Sequence, residues 1–154
     1  IVIMTPKSLL RHPLCTSTLE DFTAGSFEVL IDDLYATPAT KVKRVLFCSG
    51  KIYYDLLAKQ QADKRKDIAI VRVEQLFPMP EAAMDAIYNK YKSASFCWVQ
   101  EEPENMGAWL YLLRRDANRV LRLIARKESP SSATGYYKVH KKEQAEIVNE
   151  AFGK

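Results

Sequence analysis

The stretch that decides the fold is IAIVRV, residues 68–73. Its apolar residues run together instead of alternating with polar ones, and most of them are β-branched. A strand of this kind is buried on both faces, which is typical of parallel sheets covered by helices. Comparable short runs occur elsewhere in the chain: IVIM (1–4), VLFC (45–48), SFCWV (95–99) and the weaker LRLIA (121–125). Together these runs predict a mostly parallel sheet.

Segments with helical spacing of apolar residues separate these runs. They cover residues 51–64, 81–91 and 138–152. Because strands and helices alternate and crossovers are right-handed, we predict an α/β domain of three layers, with helices on both faces of the sheet. Two regions are less regular. Residues 13–43 read as a long connection with at most one short helix, and 128–137 as a Ser/Pro/Gly-rich loop.

Composition argues against several classes of protein. The 154 residues are 47% hydrophobic and 27% charged, with 23 basic and 19 acidic side chains and a net charge of +4. The small, interspersed excess gives no reason to expect a nucleic-acid partner. No apolar run approaches the ~20 residues that a membrane span needs, so no membrane partner is expected. Cys15, Cys48 and Cys97 lack metal-binding spacing, which predicts reduced thiols in a cytoplasmic protein.

Two motifs have both a chemical and a structural interpretation. SGK (49–51) follows a strand and opens a helix, but it lacks the spacing of a phosphate-binding loop. We predict a tight turn there, with Ser49 as the helix N-cap. Glu101 and Glu102 form a possible acid/base pair, yet neighbours on an extended chain point in opposite directions. We therefore predict that they are solvated or pair with a partner.

The decapeptide QEEPENMGAW (100–109) directly follows the run SFCWV. Loops at the carboxyl ends of parallel strands commonly bind ligands or contact neighbouring domains. Trp109 has the features of a packing anchor beneath this loop, which are also typical of domain interfaces. His12 and His140 have no carboxylate or nucleophile near them in sequence, so no hydrolase triad is predicted. From the residues alone, the chain is an α/β domain without a self-contained active site.

Five collinear stretches, which span nearly the whole chain, resemble the C-terminal part of 2-oxoglutarate dehydrogenase. They are MTPKSLLRHP (4–13), CSGKIYYDLL (48–57), DIAIVRVEQLFPMP (67–80), WVQEEPENMGAW (98–109) and SATGYYKVHKKEQ (132–144). One departure is ARKESPSSATG (125–135), which replaces the family's more usual GRPASASPATG. Lys127 and Glu128 thereby place charges where small, apolar residues are usual, so the conformation of that loop is not carried over.

This resemblance implies a transketolase-like enzyme of three parts. Residues 1–12 would be the end of a preceding pyrimidine-binding domain, 13–40 a linker, and 41–154 the transketolase-like C-terminal domain. The absence of an initiator Met before IVIM likewise predicts a piece of a longer protein.

The family's reaction is the oxidative decarboxylation of 2-oxoglutarate, with transfer of the succinyl group to a lipoyl arm. The implied cofactors are thiamine diphosphate and Mg²⁺, bound upstream and not by this segment, which alone is expected to be inactive. The implied partners are the upstream domains, a second subunit in a homodimer, dihydrolipoyl succinyltransferase and dihydrolipoyl dehydrogenase. The implied location is the bacterial cytoplasm.

With this resemblance, QEEPENMGAW is predicted to form an inter-domain or inter-subunit edge. Its contact residues would be Gln100, Glu101, Asn105 and Trp109, and no catalytic, cofactor or metal residue is expected in the chain. A solvent-facing loop is the alternative. Two other functions stay open: a regulatory ligand-binding module, and the C-terminal domain of another thiamine-dependent 2-oxo acid dehydrogenase or of a transketolase.

In some actinobacterial relatives this domain binds acetyl-CoA, and the resemblance implies a site of several basic residues. Arg11 and Gln75 fit that site. Ser26 and Val29 stand where those relatives carry a Lys and then a Ser, and Glu-Ala (81–82) stands where they carry paired Arg. Phosphates are held by Arg and Lys. We therefore predict a vestigial regulatory site that does not bind acetyl-CoA.

Overall fold

The computed structural model describes residues 1–115 and 119–153, and a five-stranded sheet in the order β1-β3-β2-β4-β5 lies at its centre. The strands are β1 (Leu30–Ile31), β2 (Arg44–Cys48), β3 (Ile68–Val73), β4 (Ser95–Pro103) and β5 (Leu121–Arg126). The helices are α1 (Leu19–Thr23), α2 (Ile52–Ala62), α3 (Glu81–Lys90), α4 (Trp109–Arg115) and α5 (Tyr137–Ala151). Strands β2 to β5 are parallel, whereas β1 pairs with β3 in the antiparallel direction.

Helices cover both faces of this sheet. On one face, Phe47, Val71 and Trp98 pack against Met84 of α3 and Leu112 of α4. The opposite face packs against α2 and α5, through the buried side chains Leu46, Ile70, Val99, Leu56 and Ile147. The predicted α/β fold of three layers is therefore confirmed. No described helix has the length and apolarity to cross a membrane.

Most of the predicted elements are present, and one detail is wrong. Residues 1–4 (IVIM) form no strand within this chain, and their side chains are exposed. Their assignment to the end of a preceding domain stays a prediction. Ser49 is not an N-cap, because α2 begins at Ile52 with Lys51 in the capping position. Gly50 does make the turn, with φ of +74°.

Part of the region predicted as a linker, 13–40, is tied to the sheet. It contributes β1 and, directly after it, Asp33. One carboxylate oxygen of Asp33 accepts hydrogen bonds at 2.6 Å from the backbone N–H groups of Tyr35 and Ala36. The other accepts at 2.7 Å from Ile70 N and from Nε2 of the fully buried Gln60. The domain boundary at residue 41 stays a prediction, but 30–36 are joined to the core.

Candidate functional site

The carboxyl ends of β2 and β4 lie side by side at the point where the order of the strands reverses. The chain passes from β2 to β3 on one side, whereas β4 and β5 lie on the other. In open α/β sheets, this kind of switch point leaves a crevice. Here the crevice has a volume of about 460 Å³, and residues of the 49–50 turn and of QEEPENMGAW line it. We call residues 100–109 the edge loop; they comprise the end of β4, the turn after it and the first residue of α4.

Gln100 holds the edge loop in its shape. Its side chain lies at the base of the loop and is buried, with 3% exposed. Its Oε1 accepts hydrogen bonds from Trp98 Nε1 (2.8 Å) and from the backbone N–H of Trp109 (3.2 Å). Its Nε2 faces the carbonyl oxygens of Glu102 (3.3 Å), Pro103 (3.1 Å) and Met106 (2.8 Å). A buried amide that is fully bonded in this way rigidifies the backbone around it.

Gly107 is required by this arrangement. Its φ is +69°, a conformation that side chains rarely adopt. A Cβ placed there would lie 3.0 Å from both terminal atoms of the Gln100 amide. The glycine therefore lets the loop close over Gln100.

Asn105 fastens the tip of the edge loop to the following loop of the chain. Its Nδ2 donates to the carbonyl oxygen of Ser129 at 3.0 Å. Its Oδ1 accepts from the backbone N–H of the same residue at 3.2 Å. One side-chain amide therefore pairs with both the backbone N–H and the carbonyl group of Ser129, which ties the two loops together.

Glu101 joins three elements at this edge. Its Oε1 is paired with Nζ of Lys51, at the start of α2. The same oxygen accepts from Nε2 of Gln144 on α5 at 2.8 Å. Gln144 continues the network, because its Oε1 accepts from Arg126 Nη2 at 3.0 Å and its Nε2 lies 2.9 Å from Asp55 Oδ2. The carboxylate is therefore paired within the chain, and Glu102 beside it is exposed.

Trp109 begins α4 and packs, half-buried, against the core on that face. The outer face of the same helix is also apolar. Leu110 is 53% exposed and Leu113 is 46% exposed, and nearby Phe77, which contacts the ring of Tyr111, is 81% exposed. A helix that is apolar on both its inner and outer faces is typical of a position between two packed bodies. The role of Gln100, Glu101, Asn105 and Trp109 in an interface stays a prediction.

Two of the cysteine thiols are buried in the strands of the sheet. Burial raises the pKa of Cys48 to about 12, and burial likewise raises the pKa of Cys97. Both therefore stay as thiols, which are poor nucleophiles. Cys15 is free and exposed. The prediction of reduced cysteines is consistent with all three being unpaired in the structure.

The two histidines are engaged in other contacts. Nδ1 of His12 accepts from the backbone N–H of Leu14 at 3.3 Å, and its ring contacts that of Tyr54. Nδ1 of His140 lies 3.0 Å from Nη2 of Arg126. Because a guanidinium has only donors, this nitrogen of His140 is the acceptor. Across residues 1–115 and 119–153, no group of three or more His, Cys, Asp or Glu side chains comes together as a metal site.

The two residues assigned to a vestigial regulatory site, Arg11 and Gln75, differ in their surroundings. Arg11 is exposed in the N-terminal stretch. Gln75 donates from Nε2 to Pro78 O (2.7 Å) and from its backbone to Val29 O (3.1 Å). Glu81, which stands at one of the Arg positions, forms an ion pair with Arg115. The vestigial character of this site stays a prediction.

The sequence indicates where the edge loop lies but not which hydrogen bonds hold its shape. Gln100 was predicted as an outward contact, whereas its polar atoms are used inside the chain. The signal was present, because an amide placed directly after a buried strand must find partners. The bonds of Glu101 to Lys51 and Gln144 had no comparable signal, since 50 and 43 residues separate the partners.

Three relatives show how far the resemblance extends. The chain is 43% identical over 159 residues to an oxoglutarate dehydrogenase of Buchnera aphidicola, covering 98% of this chain and 17% of that protein. It is 41% identical over 162 residues to the 2-oxoglutarate dehydrogenase E1 component of Azotobacter vinelandii, covering 99% and 17%. It is also 41% identical over 162 residues to the mitochondrial 2-oxoglutarate dehydrogenase of Caenorhabditis elegans, covering 99% and 16%.

The chain therefore spans 16–17% of the length of these relatives. A sequence profile of the family described as 2-oxoglutarate dehydrogenase C-terminal matches residues 16–152. This match includes the whole sheet and the edge loop, and it confirms the family that the sequence stretches had indicated. The chain belongs to the 2-oxoglutarate dehydrogenase C-terminal family.

Proposed function

We propose that the chain serves in the E1 component of a 2-oxoglutarate dehydrogenase as a docking domain, which meets the other parts of the enzyme through its edge loop. The observation that carries this proposal is the Gln100-centred loop. Gln100 directs its amide into the chain's own backbone, so the loop is a prearranged surface. A surface that is already rigid loses less conformational entropy on association.

The outer side of this surface has the composition of an interface. Glu102 and Glu104 are exposed charges at its rim. Leu110 and Leu113 extend it with apolar side chains along α4. An apolar centre with a polar rim is the usual arrangement where two proteins or domains pack. We assign this surface to contact with the upstream domains or with a second subunit.

The reaction of the whole enzyme is part of the same proposal. E1 would decarboxylate 2-oxoglutarate oxidatively and pass the succinyl group to a lipoyl arm of dihydrolipoyl succinyltransferase. Dihydrolipoyl dehydrogenase would be the third component of the complex. We further propose that E1 is a homodimer located in the bacterial cytoplasm. The names of the relatives support the 2-oxoglutarate dehydrogenase activity, whereas the partners, the homodimer and the location rest on the family resemblance alone.

The bonding of two carboxylates in this chain supports placing thiamine diphosphate and Mg²⁺ elsewhere in E1. Mg²⁺ requires several oxygen ligands in octahedral geometry. The carboxylate of Asp33 is occupied by backbone N–H groups and Gln60, and that of Glu101 by Lys51 and Gln144. We therefore assign both cofactors to the part of E1 outside this chain, and we derive no catalytic step through its residues.

The full-length gene product tests this proposal. Supplied with thiamine diphosphate and Mg²⁺, it is expected to release CO₂ from 2-oxoglutarate in the presence of an electron acceptor. Pyruvate and a ketose phosphate serve as competing substrates. Preference for either of these would assign the chain to another thiamine-dependent dehydrogenase or to a transketolase, and would contradict the proposed activity.

A further inference from the structure

The first 28 residues carry large apolar side chains that the core of the domain leaves exposed. Every residue of this stretch is exposed except Leu9 and His12, which are half-buried. The exposed fraction is 85% for Leu19, 78% for Phe22 and 70% for Phe27. Apolar side chains grouped in this way mark a surface that another body covers. We call residues 16–28 the arm.

The arm has a defined local structure. The five-residue helix α1 lies in it and begins with a capping box. Thr18 Oγ1 accepts from the backbone N–H of Asp21 at 3.2 Å, and Asp21 Oδ2 accepts from that of Thr18 at 2.7 Å. Leu19 and Phe22 are three residues apart and therefore share one side of the helix. Isolated helices this short are not stable in water, so an apolar partner is needed to hold α1.

The arm is also fixed at both ends. Before it, the ring of His12 contacts that of Tyr54 on α2, with 5.0 Å between the centroids. After it, Val29 O accepts from the backbone N–H groups of Glu74 and Gln75 at 3.1 Å. Its apolar content differs from that of disordered linkers, which are poor in such residues. The arm is therefore an anchored loop that presents an apolar face.

We propose that Leu19, Phe22 and Phe27 of the arm pack into an apolar groove on the upstream part of the same E1 polypeptide. This inference rests on the proposed function. The chain spans only 16–17% of its relatives and belongs to a C-terminal family, so in an enzyme of that length most of the polypeptide lies upstream of the matched region. A surface within the same polypeptide is present at an effective concentration of order mM. It therefore covers the arm in preference to a second copy of the domain.

The charge of the arm defines the rim of that groove. Residues 12–40 contain no Lys or Arg, although the whole chain has a net charge of +4. Glu20, Asp21 and Glu28 lie beside the apolar residues of the arm. Opposite charges at the edge of an interface favour association and fix its register. The groove is therefore apolar at its centre and lined by Lys or Arg at its edge.

Photo-crosslinking in the full-length enzyme tests this contact. p-Benzoylphenylalanine is placed at Phe22, the enzyme is irradiated, and crosslinked peptides are identified by mass spectrometry. We expect crosslinks to residues that precede Ile1 in the same polypeptide. Mixing isotopically heavy and light subunits separates contacts within one subunit from contacts between two. Crosslinks to a second subunit, crosslinks to residues 30–153, or the absence of crosslinks would each overturn the proposal.

Hydrogen exchange provides the second measurement, again in the full-length enzyme. Phe22→Asp is expected to speed amide exchange of the arm about tenfold or more, because the helix loses its cover. Leu34→Asp is the matched control, since Leu34 is 94% exposed but lies outside the arm. Equal exchange of the arm in both variants would contradict the proposal. Decarboxylation by the unmodified enzyme is measured separately, so loss of the proposed function and loss of the arm contact are distinguishable.

Discussion

Replacing Gln100 by Leu tests whether this one amide organises the edge loop. Leu has a similar size and keeps the site apolar, but it can neither accept nor donate. The substitution removes the partner of Trp98 Nε1 and of the Trp109 N–H, and it removes the donor to Met106 O. Because these groups lie around a side chain that is only 3% exposed, water cannot replace Gln100 without opening the loop.

The expected cost follows from these contacts. A buried donor left without a partner costs about 1–3 kcal/mol, and each ordinary hydrogen bond contributes about 1 kcal/mol. Summed over two buried donors, Trp98 Nε1 and Trp109 N, and two carbonyl groups, the loss is about 4–8 kcal/mol. A domain of this size has a free energy of unfolding of about 5–15 kcal/mol. The thermal midpoint should fall by roughly 8–32 °C, at about 2–4 °C per kcal/mol.

Urea unfolding followed by tryptophan fluorescence measures this loss. The chain has two tryptophans, and both are bonded to Gln100, so the probe reports on the loop directly. Gln75→Leu is the matched control, because Gln75 makes one exposed side-chain hydrogen bond, to Pro78 O. We expect the control to cost at most about 1 kcal/mol. A Gln100→Leu variant no less stable than the control would refute the role assigned to Gln100.

Three further predictions concern other parts of the chain. Asp33→Ala should lower the free energy of unfolding by about 3–5 kcal/mol, because four hydrogen-bond donors lose the carboxylate that accepts from them. Urea unfolding, with Asp63→Ala as the control variant, measures this loss. Burial raises the pKa of Cys48 from 9.0 to about 12, so its contribution to stability is complete below pH 9 and is lost as pH rises towards 12. Cys48→Ala should reduce the alkaline loss of stability, and an unchanged pH profile would contradict the burial argument. Acetyl-CoA should show no calorimetric binding to the full-length enzyme; micromolar binding abolished by Arg11→Ala would show an intact site.

The strands of the sheet were predictable because burial on both faces leaves a clear pattern. Runs such as VLFC and IAIVRV contain little besides apolar residues, and they became β2 and β3. The two-residue strand β1 has no such pattern, since Leu30–Ile31 is too short to show a period. IVIM has the composition of a strand but forms none within this chain. Composition therefore identified candidate strands, and tertiary pairing decided which of them formed.

The position of the edge loop was predictable from the sequence, but the hydrogen bonds that hold its shape were predictable only in part. Its position after a buried strand and its Trp109 indicated a site where the chain meets another body. The inward direction of Gln100 depends on where Trp98 Nε1 and the loop carbonyls lie in three dimensions. The pairing of Glu101 with Lys51 depends on β2 and β4 being neighbours, which the order of elements along the chain does not specify.

The most direct test of the docking role is Trp109→Ala in the full-length enzyme. Subunit association is measured by sedimentation, and the kcat for 2-oxoglutarate is measured on the material that stays assembled. We expect the dissociation constant of the subunits to increase roughly thirtyfold or more, which corresponds to an interface residue that contributes about 2 kcal/mol. The kcat of the assembled enzyme should stay within about twofold of that of the unmodified enzyme. Tyr136→Ala, at an aromatic side chain that is 81% exposed and outside residues 100–109, is the control. Unchanged dissociation and thermal midpoint, or a loss of kcat in fully assembled enzyme, would contradict the account.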